Sequence, residues 1–296
     1  MCLLIVIWGV NFSVIKAALG DFPPFAFTAV RYTAAAALLV LALRFLDERP
    51  TGPVLSRQDL PTLVLLGILG HAAYQIFFIA GLARTAAGNA SLILAISPIF
   101  VGLLSAALGL ERPTRRMWLG LVVAFAGLAA LVAGRGGLTM GLATLAGDLL
   151  VLVSTACWAA YTVFSRPMLE RASPLRLTTV TLLLGLPVLL VAGAPQLARM
   201  SWGSVRAASW GAVAFSSVFA VAVSYVIWYR SVRVVGGVRT AALGNLIPVV
   251  ALVTAHVALD EPLGALQVAG GAVVLLGVWL AAPGASAQPP AAAAEV

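Results

Sequence analysis

Charge is what this chain has least of. Only 9% of its 296 residues are Asp, Glu, Lys or Arg, and ten in all are acidic. A soluble domain carries charge on about a quarter of its residues. This composition excludes water as the main solvent. Histidine and cysteine are scarcer still, at two each. Cys2 and Cys157 both fall in apolar stretches, without a CxxC or a framework of cysteines, so a disulfide scaffold is excluded and the redox compartment is not readable. There is no HExxH, no ligand-spaced His/Cys cluster, no GxxxxGK[ST] and no GxSxG. The sequence therefore offers no metal, no cofactor site and no enzyme chemistry. Without an ATP site, any solute movement would be downhill or driven by a gradient, with a proton or another ion as the coupling partner.

Long apolar runs are what the chain does have. It is 62% hydrophobic, with a mean hydropathy of +1.06. A bilayer span needs about 20 apolar residues, and ten such stretches occur: 2–19, 24–46, 60–83, 86–110, 115–134, 145–166, 174–194, 209–230, 237–259 and 264–282. Lipid cannot hydrogen-bond a backbone, which leaves helices or a closed barrel. Barrel strands alternate over about ten residues; these runs are continuous and twice that length, so they are read as helices. The first has no basic stretch before it and no A-x-A site after it, so it is a span of the fold and not a signal peptide. The Pro/Ala-rich end, 283–296, is expected to be a disordered tail.

The net charge of +8 reads as topology, not as nucleic-acid binding. Twelve of the eighteen Lys and Arg lie in the joins after spans 2, 4, 6 and 8, five lie in the other joins or at their edges, and Arg31 lies within a span. By the positive-inside rule both termini are cytoplasmic.

The chain also repeats. Pro98 and Pro248 each stand thirteen residues before a glutamate, Glu111 and Glu261, and the copies are offset by 150 residues. At the same offset Trp8 falls on Trp158, Pro24 on Pro174, Thr28 on Thr178, Gly120 on Gly270 and Gly127 on Gly277. Coincident Trp, Pro and Glu carry weight because these residues are scarce here. The expected units are 1–134 and 145–282, five spans each, joined by 135–144. An odd number of spans makes the second copy enter from the opposite side. The fold class is thus an all-α integral membrane protein of ten transmembrane helices in two inverted five-helix repeats, a recurrent design of transporters.

Several side chains are candidates for a pathway. Proline in a helix removes a donor and clashes one turn back, so Pro98 and Pro248 read as kinks, either for packing alone or for gating beside the pathway. Glu111 and Glu261 read as helix-end caps or gate residues. Asn11, Arg31, His71, Tyr74, Gln75, Tyr161 and Tyr225 are polar groups inside spans, and such groups commonly face a bundle interior or water. Arg31 needs an acidic partner, for which Asp148 is the best candidate, or an anionic ligand; snorkelling to the headgroups is the bland alternative. Trp8, Trp158, Tyr74, Tyr161 and Tyr225 suit a mainly apolar cavity for an organic solute. Trp8 and Trp158 lie too deep for interfacial anchors. The four repeat-matched glycines suit close helix packing.

WGVNF in span 1, ASLILAISPIF followed by LGLERP in span 4, and LGNLIPVVA followed by LDEP in span 9 resemble the EamA-type branch of the drug/metabolite transporter superfamily. The resemblance extends to about residue 282. It implies a bacterial inner-membrane transporter of small metabolites, often an exporter of amino acids or related compounds, with a central cavity lined from both halves. It places Trp8, Asn11, Tyr74, Ser91, Trp158, Tyr161 and Asn245 near that cavity. A secondary transporter working by alternating access is the leading expectation. An uncoupled channel or facilitator and an intramembrane enzyme are the alternatives.

Overall fold

The computed structural model describes residues 1–46, 56–108, 115–133, 142–235, 237–244, 246–260 and 264–281. All regular elements among them are helical: α1 (Cys2–Ala18), α2 (Pro24–Leu46), α3 (Arg57–Leu82), α4 (Ala87–Leu94), α5 (Ser97–Ala107), α6 (Arg115–Ala133), α7 (Leu142–Leu169), α8 (Pro174–Arg199), α9 (Ala207–Val234), α10 (Gly237–Gly244), α11 (Ile247–Leu259) and α12 (Ala265–Ala281). Five of these, α2, α3, α7, α8 and α9, are long and apolar enough to cross a membrane, and shorter apolar helices stand among them. The chain is therefore an all-α, multi-span membrane protein. Glu111, Asn245, Glu261 and the 283–296 tail lie outside the described residues.

Helix starts follow from local chemistry. Pro24 and Pro174 open α2 and α8, where a missing N–H costs nothing. The Ser173 hydroxyl caps α8 by accepting from the Arg176 N–H at 3.1 Å. At the start of α2, the Phe25 and Ala26 N–H groups donate to Gln196 Oε1, on the last turn of α8. Two helices outrun the sequence boundaries. α7 begins at Leu142 and continues through Pro167 to Leu169, and α8 continues through Pro195 to Arg199. A proline is tolerated inside a membrane helix where surrounding groups satisfy the freed carbonyl.

The second half reproduces the first, helix for helix, from α1/α7 to α6/α12. The fourth and ninth predicted spans are not merely kinked. Each is two helices, α4 and α5 or α10 and α11, with α4 ending at Leu94 and α10 at Gly244, 150 residues on. The cause is the proline one step into the next helix. Pro98 has no N–H for the Leu94 carbonyl, and the Ile99 N–H reaches only to Ile96, at 2.9 Å. A second matched feature was not anticipated. α3 carries a π-helical stretch at Ile68–Ala73 and α9 one at Ser216–Val223.

The halves pack through reciprocal contacts: α1 on α11 and α7 on α5, α3 on α8 and α9 on α2. Glycines make the closest approaches. A Cβ on Gly127 would lie 2.8 Å from the Gly270 carbonyl oxygen, and one on Gly277 would lie 2.7 Å from that of Gly120. Backbones of α6 and α12 therefore touch at Gly127–Gly270 and at Gly120–Gly277, two contacts that the offset of 150 exchanges, and a larger residue would hold them apart.

Candidate functional site

A cavity opens inside the bundle. It holds about 760 Å³ of space free of atoms, its open mouth included, and it is lined from both halves. α1 contributes Trp8, Asn11 and Phe12; α2 contributes Arg31 and Tyr32; α3 contributes Tyr74, Gln75 and Phe78. From the second half come Trp158 on α7 and Ala220, Val221, Tyr225 and Trp228 on α9. Both helix breaks face this space: Leu94, Ala95, Ser97 and Pro98 on one side, Gly244, Ile247 and Pro248 on the other. Ser91 lines it too, its hydroxyl donating to the Gly88 carbonyl at 2.6 Å.

An aromatic cluster forms much of the wall. Trp8 has its ring centroid 5.6 Å from that of Trp158, 5.5 Å from Trp228 and 6.0 Å from Tyr225. Trp158 lies 5.2 Å from Tyr74. The Trp8 indole N–H donates to the Ala220 carbonyl, in the π-helical stretch of α9, at 2.8 Å. That bond and the ring contacts tie α1 to α7 and α9 across the cavity.

Arg31 is the single charged residue among the described lining residues. It is 2% exposed, and its guanidinium donates to Gln75 Oε1. It does not snorkel to a headgroup: the side chain turns into the bundle, 5.5 Å from the Phe27 ring and 5.1 Å from the Tyr32 ring. Its Nε has no partner. Asp148 is engaged elsewhere, accepting from the Thr85 hydroxyl at 2.6 Å. A neutral amide oxygen thus stands where the sequence offered Asp148 or an anionic ligand, and among the described residues no carboxylate pairs with the guanidinium. Arg31 also fixes Gln75: an arginine can only donate, so the amide oxygen must face it and the NH₂ must face away.

His71 and Tyr161 stand one layer behind the wall. His71 is fully buried in the π-helical stretch of α3, with Nε2 3.0 Å from the Tyr161 hydroxyl and 3.1 Å from that of Thr181. Its ring stacks on Tyr225 with centroids 5.0 Å apart, and the Tyr225 hydroxyl meets that of Tyr32 at 3.1 Å. Gly70 makes room for this layer, since a Cβ there would collide with the Tyr161 ring. Asn11 lines the cavity while its Oδ1 accepts from Ser216 at 2.6 Å. Tyr32, Phe78 and Trp228 are lining residues that the sequence did not single out. The repeat held a signal for one of them, because Trp228 is the counterpart of Phe78 at the same offset of 150.

A cavity built from two matched halves, with broken helices at its wall and a buried cation inside, is an arrangement that recurs among transporters. The family comparison agrees. The model of the EamA-like transporter family matches residues 1–133 and again 145–282, and the chain belongs to that family. It is similar over nearly its whole length to an uncharacterized transporter of Archaeoglobus fulgidus, 30% identical and covering 95% of this chain and 96% of the relative. A probable terminal-alkyne amino-acid exporter of Streptantibioticus cattleyicolor is 31% identical, covering 95% and 91%. A probable amino-acid metabolite efflux pump of Salmonella typhimurium is 27% identical, covering 94% and 92%. A solved crystal structure shares the fold, with a TM-score of 0.65 at 21% identity, covering 94% of this chain and 93% of the other. The protein is a secondary transporter of small organic solutes in the bacterial inner membrane, not an enzyme.

Proposed function

We propose that this carrier exports amino acids or related carboxylate-bearing metabolites by alternating access, with the solute held in the central cavity between two inverted repeats. The repeats are 1–134 and 145–282, with ten spans and both termini cytoplasmic. Export is suggested by the two relatives named as an amino-acid exporter and an amino-acid metabolite efflux pump.

The observation that carries the reading is Arg31, buried at the cavity wall with an amide as its hydrogen-bond partner. An unpaired charge at such a depth costs at least about 2.5–3.5 kcal/mol on insertion scales. A substrate carboxylate would offset that cost through two parallel hydrogen bonds, which an ammonium cannot reproduce. Trp8, Asn11, Tyr74, Gln75, Ser91, Trp158 and Tyr225 shape the rest of the site, with His71 and Tyr161 supporting the wall. Pro98 and Pro248 supply two flexible breaks beside the solute.

The test is transport by purified protein in proteoliposomes. Arg31→Lys should weaken transport of a carboxylate substrate although the charge is kept, and Arg31→Gln should weaken it more. Unchanged substrate affinity in Arg31→Gln would refute the assignment of Arg31 to the substrate.

A further inference from the structure

The cavity wall is rich in side-chain donors and poor in side-chain acceptors. Arg31, Trp158 and Trp228 can only donate. The amide oxygens of Gln75 and Asn11 are already taken, by Arg31 and by the Ser216 hydroxyl. Among the described lining residues there is no Asp or Glu. An amino acid held here by its carboxylate still has an ammonium to place, and no lining side chain is an anion that would receive it.

The two helix breaks supply what the side chains do not. α4 ends at Leu94 and α10 at Gly244, and both residues line the cavity. Their carbonyls are the ones that Pro98 and Pro248 deprive of an N–H. Neighbouring N–H groups do not stand in. Ala95 donates to Ser91 at 3.1 Å, Ile96 to Ile93 at 3.1 Å and Ile99 to Ile96 at 2.9 Å; in the second break Leu246 donates to Leu243 at 3.3 Å. Each break is also the negative end of a helix. An independent feature marks the same place. Ser97 lines the cavity at the first break, is 7% exposed, and its hydroxyl has no partner. The breaks and Arg31 share one chamber: Leu94 and Ile247 pack on the cluster that contains Phe27, whose ring lies 5.5 Å from the Arg31 guanidinium.

We propose that the paired helix breaks form an ammonium subsite, in which the Leu94 and Gly244 carbonyls and the Ser97 hydroxyl receive the amino group of a substrate whose carboxylate lies on Arg31. This rests on the reading of the cavity as the transport site. It selects, among carboxylate-bearing metabolites, amino acids with a free amino group over their amino-free counterparts. The repeat gives the subsite one carbonyl from each half. Half-helix ends and unwound carbonyls are a recurrent way for transporters to hold a small cation without a buried acid.

Binding to the purified whole protein tests the idea without depending on the rate of the transport cycle. The tightest binder among the common amino acids is compared with two relatives of the same body: its 2-hydroxy acid, with a hydroxyl in place of the ammonium, and its decarboxylated amine. The hydroxy acid should bind about tenfold more weakly than the amino acid, because it loses charge-assisted hydrogen bonds. Pro98→Ala and Pro248→Ala each return an N–H that engages one carbonyl, and each should cut that preference about threefold. Ser97→Ala, which leaves the break in place, should cut it about twofold. A general packing defect would weaken both ligands alike and leave their ratio unchanged. Equal binding of amino acid and hydroxy acid by the unaltered protein would overturn the ammonium subsite and leave the carboxylate site at Arg31 standing. An unchanged ratio in all three variants would overturn its assignment to the breaks. An amine that binds as tightly as the amino acid would overturn the place of the carboxylate on Arg31. If neither amino acids nor hydroxy acids bind, the transport reading of the cavity fails, and this inference fails with it.

Discussion

Arg171 stands 150 residues after Asp21, and each closes an ion pair at its own end of the bundle. Asp21 accepts from Arg206 Nε at 2.8 Å and from the Ser209 hydroxyl at 2.6 Å. Arg171 pairs with Asp59, which also accepts from Ser56. Asp59 and Ser209 are themselves repeat counterparts, so one clasp design holds the turn after the first helix of each half to the start of the third helix of the other half.

The clasp at Asp21 has a definite pH signature. Hydrogen bonds from the Arg206 side chain, then Ser209, hold its carboxyl down at about 2 against an ordinary 3.8. A depressed carboxylate pKa contributes stability above the ordinary value and loses it as pH falls toward the folded one. Asp21→Asn should lower the detergent melting temperature by no more than about 2 °C at neutral pH, since exposed pairs contribute little. That gap should shrink to nothing between pH 4 and pH 2. A constant gap over this range would show that the Asp21 charge is not responsible.

The two prolines should matter for rate more than for folding. Pro98→Ala and Pro248→Ala return the N–H that the Leu94 and Gly244 carbonyls lack, and so favour continuous helices. Each variant should insert and melt much as the unaltered protein does while transport slows several-fold. Unaltered transport in both would make the breaks purely architectural.

Helix crossings at glycine should be intolerant of a single methyl group. A Cβ at Gly67 would lie 2.7 Å from the Thr181 carbonyl oxygen and 2.9 Å from the Gly185 nitrogen, both backbone atoms that cannot step aside alone. Gly67→Ala should destabilise the fold by about 1–3 kcal/mol. Gly203, with nothing within 4 Å of its would-be Cβ, is the control, and Gly203→Ala should melt with the parent. Equal melting of the two variants would refute close packing of α3 on α8.

Topology can be read with a C-terminal fusion. The proposed ten spans and cytoplasmic start would put the C-terminus in the cytoplasm, where a reporter that fluoresces only there should glow. Alkaline phosphatase activity from the same end would overturn either the span count or the orientation.

The sequence by itself determined the solvent, the helical class and the repeat. Near-absence of charge excludes water as solvent, lipid leaves the backbone few options, and rare residues such as Trp, Pro and Glu keep their register where Ala and Leu cannot. It also located the two interruptions, because a missing N–H at Pro98 or Pro248 is a property of the residue and not of its neighbours. Only the tertiary structure decided which side of each helix turns inward. In a soluble helix an apolar stripe marks the core. Here lipid-facing and core-facing sides are both apolar, so periodicity does not mark the buried face. For that reason Trp228 and Tyr32 were missed, and His71 and Tyr161 proved to sit behind the wall rather than on it. The partner of Arg31 was likewise a matter of packing. Asp148 had the right charge, but the helices bring it to Thr85, and they bring Gln75 to the guanidinium instead.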